Sequence, residues 1–250
     1  MNEDFIMKVL PVFQGLQVYH RHRVFGLQFL PRRGPAIICS THSLATYDLM
    51  MLMAAVYKVD GRFPRSLIDR TFYRFPGLGR FMEQLGCVVG NIDNARSILS
   101  NGELLYIAPG GMEESLRSSR NKYQFYWKKR RGFSRLSLET GAPIVLAACP
   151  GADDIFKVYD SPLTKWAYNK MRLPLFIARG IGPTPIPRPV RVEHFLSEPI
   201  YPPKKNPDPE AFERQVYRYH RKIIKQMEAL MERVAHPRED LQLTDGKEPT

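Results

Sequence analysis

From Pro35 onward the chain alternates short apolar runs with segments of helical periodicity, and this alternation restricts the fold more than any other feature. Apolar runs predict strands over residues 36–40, 66–68, 87–90, 104–108, 144–149 and 190–195. Three-to-four spacing predicts helices over 47–57, 79–85, 94–100, 133–140 and 209–234. Strands alternating with helices imply an α/β fold whose central sheet is mainly parallel and flanked by helices. The last helix is the best signalled. Asp208 suits an N-cap, Pro209 the first helical position and Glu210 the positive end of the dipole. Pro183, Pro185, Pro187 and Pro189 predict a stiff loop leading into the last strand.

Ahead of this pattern, residues 2–19 read as an amphipathic helix, with Phe5, Val9, Val12, Leu16 and Tyr19 recurring along one stripe and Ile6 and Phe13 alongside. Pro11 predicts either a kink or two short pieces. Arg21, Arg23, Arg32 and Arg33 follow. An apolar stripe succeeded by arginines suits a helix lying in a membrane interface, and packing onto its own domain is the other reading. The expected organisation is a membrane-associating segment over 1–34, one domain over 35–236 and a disordered tail over 237–250. The most apolar window, 49–57, is too short to cross a bilayer, which needs about 20 residues. No basic start with a long apolar stretch marks a cleavable leader.

Among 250 residues, 37 Lys and Arg stand against 25 Asp and Glu, a formal charge of +12. The surface therefore favours anionic partners, whether nucleic acid, acidic lipid or phosphorylated carriers. Neither paired CxxC fingers nor an aromatic RNA-binding strand is present, which argues against nucleic acid. Cys39, Cys87 and Cys149 lie apart among apolar residues and read as reduced core thiols, with no metal site.

The run Ile37-Ile38-Cys39-Ser40-Thr41-His42 carries a buried strand into a histidine, and Asp48 follows six positions later at a helix start. Both side chains then fall at the carboxyl end of a strand, where open α/β sheets bind ligands. A histidine there can take the proton of an attacking hydroxyl. A carboxylate on its other nitrogen would hold the tautomer. By themselves the two residues better suit a loop histidine and a first-turn acid.

Four blocks in order, THSLATYD (41–48), GCVVGNID (86–93), APGGMEES (108–115) and GAPIV (141–145), resemble the glycerolipid (lysophospholipid) acyltransferase superfamily. A basic element over 129–133, carrying Arg130 and Arg131, resembles another family feature. The first block matches the histidine–aspartate signature with one extra residue. That spacing, with Pro109-Gly110-Gly111 and Glu114, resembles the branch of diacylglycerol acyltransferases, including transmembrane-protein-68-like and phytyl-ester-synthase-like enzymes.

The resemblance implies an acyltransferase-like fold with His42 as general base and Asp48 as its partner. It implies substrate contacts at Gly110, Gly111, Glu114, Arg130 and Arg131. The donor is an acyl-CoA or acyl carrier protein acting as co-substrate, with no other cofactor. Ile92 and Glu113 stand where phosphate-binding arginines would be, and Gly110 where a glutamate would be. A negative charge about 4 Å from a phosphate costs on the order of 4 kcal/mol at an effective dielectric near 20. A neutral acceptor hydroxyl (diacylglycerol, monoacylglycerol or a long-chain alcohol) is therefore expected over lysophosphatidate. Gly110 and Gly111 suit either oxyanion stabilisation or a tight turn. The cations from Arg117 to Arg131 suit the donor's phosphates, acidic lipid or plain solvation.

A lysophosphatidate acyltransferase and a basic membrane adaptor remain the alternatives. The expected location is peripheral, on the cytoplasmic face of an anionic membrane, with no transmembrane helix.

Overall fold

The computed structural model describes residues 2–171 and 175–235. Its elements are α1 (Glu3–Tyr19), β1 (Arg23–Phe25), β2 (Ala36–Ser40), α2 (Leu49–Asp60), β3 (Arg65–Ile68) and α3 (Leu78–Gln84). Next come β4 (Val88–Val89), α4 (Ile92–Ser100), β5 (Leu104–Ile107), α5 (Gly111–Ser115), α6 (Gly132–Thr140) and β6 (Ile144–Ala148). The chain closes with β7 (Lys157–Tyr159), α7 (Pro162–Met171), β8 (Ile177–Arg179), β9 (Glu193–Leu196) and α8 (Pro209–Ala235). The tail over 237–250 lies outside the described residues.

Seven strands form one sheet in the order β1-β9-β6-β2-β5-β3-β4. Every pairing is parallel except β6 with β9. β2 lies at the centre, buried on both faces, and therefore reads as an unbroken apolar run. Ile37 and Cys39 face a core shared with α4, α6 and α8, while Ala36 and Ile38 face α2. The long face of α8, from Phe212 to Met231, closes the first of these cores. Asp208 caps α8 as expected, its Oδ2 accepting from the Ala211 N–H at 2.6 Å.

The predicted core strands and helices are present, most with ends moved by one to three residues. Among the strands the last moves furthest. It begins at Glu193 rather than 190, because Val190 and Val192 serve the loop instead. The Val190 carbonyl meets His20 Nδ1 at 3.0 Å, and the Val192 N–H donates to the His20 carbonyl at 3.1 Å.

The N-terminal expectation needs correcting in two ways. β1, assigned to the 1–34 segment, pairs in register with β9, so sheet packing begins inside that segment. α1 is one continuous helix through the exposed Pro11, with Ile6 and Phe13 buried against Met53, Ala54 and Phe63. Its inner face is thus offset from the stripe through Val12 and Tyr19, both of which are exposed.

β1, β7, β8, α5 and α7 were not anticipated. Three strands have only three residues each, too few for an alternating pattern to register.

Candidate active site

β2 delivers the chain at Ser40 into a loop that ends where α2 begins, and both flanking elements are locked in the core. His42, Ser43 and Asp48 ride on that loop. Ala45 and Thr46 take positive φ angles of 53° and 54°, a strained choice for side chains larger than glycine. The loop is pinned from outside. The Ala45 N–H donates to Ser115 Oγ at 3.2 Å, and the His42 N–H donates to Glu114 Oε1 at 2.6 Å.

His42 Nδ1 lies 3.0 Å from the Ser43 carbonyl oxygen. A carbonyl only accepts, so Nδ1 carries the hydrogen and Nε2 keeps its lone pair. Burial depresses the His42 pKa below its usual value. The Ser43 bond and the charge of Asp48 act upward, and the charge of Arg117 acts downward. The ring is therefore neutral at pH 7, with a base at Nε2.

Asp48 is buried, and its two oxygens are taken by Ser43 Oγ and by His194 Nε2, the latter at 3.1 Å. Burial pushes this carboxyl up, but the hydrogen bonds and charge of His194 and the bond from Ser43 outweigh it and hold the pKa low. Among the described residues no hydrogen bond joins Asp48 to His42. The expected direct pairing is replaced by a relay through Ser43, whose hydroxyl meets Asp48 while its carbonyl meets His42.

Behind Asp48 the chain of contacts continues. His194 Nδ1 is 2.9 Å from His22 Nε2, and Gln17 of α1 reaches His22 Nδ1 at 3.5 Å. Burial pushes the His22 pKa down to about 3, so this ring is neutral. His20 Nε2 meets the Tyr47 hydroxyl at 3.1 Å, a second link from the end of α1 to the loop.

Glu114 is buried with both oxygens on main-chain donors, the second from the Tyr126 N–H at 2.7 Å. Placed for substrate contact by resemblance, it instead staples the His42 loop to residue 126. Burial raises its pKa to about 7 against the pull of those two N–H groups and Arg117. Gly110 lies beneath it, and a Cβ there would sit 1.9 Å from Glu114 Oε2. That contact is why the position is a glycine. The Gly111 N–H donates to the Ala108 carbonyl at 3.0 Å, which favours the tight-turn reading over an oxyanion donor.

The basic cluster is largely spent on internal partners. Arg117 meets both oxygens of Asp153 at 2.6 Å, Lys122 pairs with Asp154, and exposed Arg130 lies 3.7 Å from Glu113. Arg131 stacks over Tyr217 of α8 at 4.9 Å. Arg130 and Arg131 are thus directed to surface partners rather than to His42. Arg117 Nη1 is a buried donor without a hydrogen-bond partner, in the wall of a small cavity shared with Leu44, Glu114, Phe156 and Val158.

Metal-binding potential is confined, among the described residues, to Asp48, Cys149 and His194, whose donor atoms lie within 4.8 Å of one another. Burial pushes the Cys149 thiol well up, which disfavours the thiolate a metal needs. Ser43, His194 and His22 were not anticipated as site residues. Ser43 had a signal in its adjacency to His42. A histidine within a short apolar strand has none until the sheet is assembled.

Comparison with known proteins bears on the family and the fold. The diacylglycerol acyltransferase family model matches residues 62–243. Relatives described as "DGAT1/2-independent enzyme synthesizing storage lipids" are 29% identical in Bos taurus and 30% in Mus musculus. Each alignment covers 75% of this chain, against 54% and 55% of the relative, so the chain spans about half their length. The 1-acyl-sn-glycerophosphate (LPA) acyltransferase PlsC of Thermotoga maritima shares the fold. Its TM-score is 0.53 at 16% identity, over 88% of this chain and 77% of that one. The match over residues 62–243, well over half of the sequence, leads to one statement: the chain belongs to the diacylglycerol acyltransferase family.

Proposed function

We propose that this chain transfers a fatty acyl group from a thioester, acyl-CoA or acyl carrier protein, to the hydroxyl of a neutral lipid. The observation that carries the proposal is the His42 imidazole, neutral, held through Nδ1 by Ser43 and left with a lone pair on Nε2. The acceptor hydroxyl gives its proton to Nε2 as its oxygen adds to the thioester carbonyl. Collapse of the tetrahedral adduct breaks the carbon–sulfur bond, and the thiolate recovers the proton from the imidazolium. Asp48 stays ionised and holds the loop through Ser43, so its role is positioning.

A neutral acceptor is supported by what surrounds the loop. Buried Glu114 and exposed Glu113 follow Gly110 and Gly111, and the nearest buried cation, Arg117, is already committed to Asp153. A phosphomonoester would meet carboxylates there. The names of the mammalian relatives, which synthesise storage lipids, point the same way.

The test offers diacylglycerol and lysophosphatidate at equal concentration, dispersed in detergent, with labelled acyl-CoA. Triacylglycerol should dominate. A product consisting mainly of phosphatidate would overturn the neutral-acceptor reading and favour a lysophosphatidate acyltransferase.

A further inference from the structure

α7 is built inside out. Its large apolar residues Leu163 and Trp166 are 65% and 54% exposed, while small Ala167 is 2% exposed. Leu163, Trp166 and Lys170 recur at three-to-four spacing and share the outward face. Met171, Leu175, Phe176 and Ile177 are exposed as well. β7 and β8 draw the ends of this excursion together, with Tyr159 opposite Ile177 and both exposed. Val158 between them points inward and is buried. Arg74 Nη1 donates to the Met171 carbonyl at 3.3 Å, which brings exposed Tyr73 and Phe75 alongside. Exposed apolar side chains gathered on one excursion mark a face that something covers.

The charges identify the cover. Lys157 and Arg179 are direct partners across the β7–β8 ladder on the same outer face, and both are exposed. Like charges opposite each other on a ladder repel. Lys157 lies 5.5 Å over the Tyr159 ring and Arg179 donates to the Gly182 carbonyl at 3.3 Å, but neither has an acidic partner among the described residues. An anionic layer would relieve the repulsion. Lys170 and Arg74, also exposed, add to the rim. Aromatic and aliphatic side chains edged by cations match the boundary of an anionic bilayer, where tryptophan and tyrosine are favoured.

Position gives the face a purpose. The excursion leaves from the end of β6, which runs parallel to β2, so it rises from the same carboxyl end of the sheet that carries His42. Phe156 and Val158 at its root line the small cavity beside the His42 loop, together with Leu44, Glu114 and Arg117. We propose that α7 and the outer face of the β7–β8 hairpin dock onto an anionic lipid bilayer and set the acyl-transfer site against it. This rests on the lipid-acceptor reading above and names where the acceptor is met.

The two tryptophans make the test direct, since Trp127 is fully buried and Trp166 is exposed. The full chain is mixed with vesicles of phosphatidylcholine with and without phosphatidylserine. Emission should shift to the blue and be quenched by brominated acyl chains, more strongly with the anionic lipid. Leu163→Glu with Trp166→Glu should lower vesicle co-sedimentation about tenfold or more, since both side chains enter the interface. Activity on detergent-dispersed acceptor should be unchanged. High salt should weaken wild-type binding without abolishing it.

Unaltered co-sedimentation of the double variant, or wild type that ignores vesicles, overturns the proposal. So does self-association that the double variant abolishes while vesicles go unbound, because a second copy then covers the face. If vesicle binding depends on Trp166 but no lipid hydroxyl is acylated in detergent, the activity reading fails and the docking surface stands.

Discussion

The loop around His42 and the outer face of α7 handle polarity in opposite ways. Around His42 the polar groups are buried and tied. Asp48 is held by Ser43 and His194, and Glu114 by two backbone N–H groups. Around α7 the apolar groups are exposed and a small residue takes the inside position. The first arrangement holds a base in place, and the second meets a partner. Changes in the loop should therefore damage turnover on any acceptor, whereas changes on α7 should damage only turnover on vesicles.

The sharpest cut is His42→Ala. A positioned general base contributes about 10²–10⁴-fold, so kcat should fall by that factor on dispersed and vesicular acceptor alike. Circular dichroism checks that the fold survives. Full activity in a folded His42→Ala protein would end the general-base mechanism.

Asp48→Asn should cost less, on the order of 10–100-fold, because the Ser43 carbonyl rather than Asp48 sets the His42 tautomer. A loss as large as that of His42→Ala would mean that the carboxylate swings onto His42 once substrate is bound. The pH profile sharpens the same point. The depressed His42 pKa predicts full activity at neutral pH, with an acid limb lying below the ordinary histidine value of 6.5. A limb above that value would show an imidazole stabilised in its charged form.

Glu114→Gln tests the staple. An amide offers one acceptor oxygen where the carboxylate offers two, so one buried N–H loses its partner at about 1–3 kcal/mol of stability. The sign of the pH dependence is fixed as well. The folded pKa of about 7 lies above the ordinary 4.5, so the native state binds the extra proton between those values. Stability should then fall as pH rises from 4.5 to 7, and denaturant titrations of Glu114→Gln should lose that slope. Gly110→Ala should mimic the defect by pushing the Glu114 carboxylate aside.

These contrasts also show what the sequence made legible. β2 was readable because burial on both faces demands five consecutive apolar or small residues. His42 and Asp48 were readable through the resemblance of residues 41–48 to a family signature, since their place after the carboxyl end of β2 suits a loop histidine and a first-turn acid as well. The partner of Asp48 was not, since His194 lies 146 positions away and reaches it only when β9 joins β6. Glu114 was visible as a motif residue, but its task depends on where residues 42 and 126 come to lie. On α1 the sequence placed Ile6 and Phe13 beside the stripe but could not say that they, with Phe5 and Val9, face the domain while Val12 and Tyr19 stay exposed, because periodicity reveals a stripe without naming the neighbour that covers it.

That ambiguity supports the smallest of the expected effects. Val12 on α1 is 62% exposed, nearly as open as Leu163 on α7, yet α1 buries Ile6 and Phe13 and therefore has a filled inner face. If α1 also lay in the membrane, a glutamate at position 12 would meet anionic headgroups at about 1 kcal/mol, roughly a fivefold loss of vesicle partition. If α7 alone makes contact, Val12→Glu should change partition less than about twofold, within the ±0.5 kcal/mol typical of surface substitutions. Ile6→Ala should instead cost about 2–5 kcal/mol of fold stability, the usual result of emptying a core position. Co-sedimentation of Val12→Glu and thermal unfolding of Ile6→Ala together decide whether α1 is a structural layer over α2 or a second membrane contact. A fivefold partition loss with unaltered stability would return α1 to the interface and leave the α7 surface as one of two.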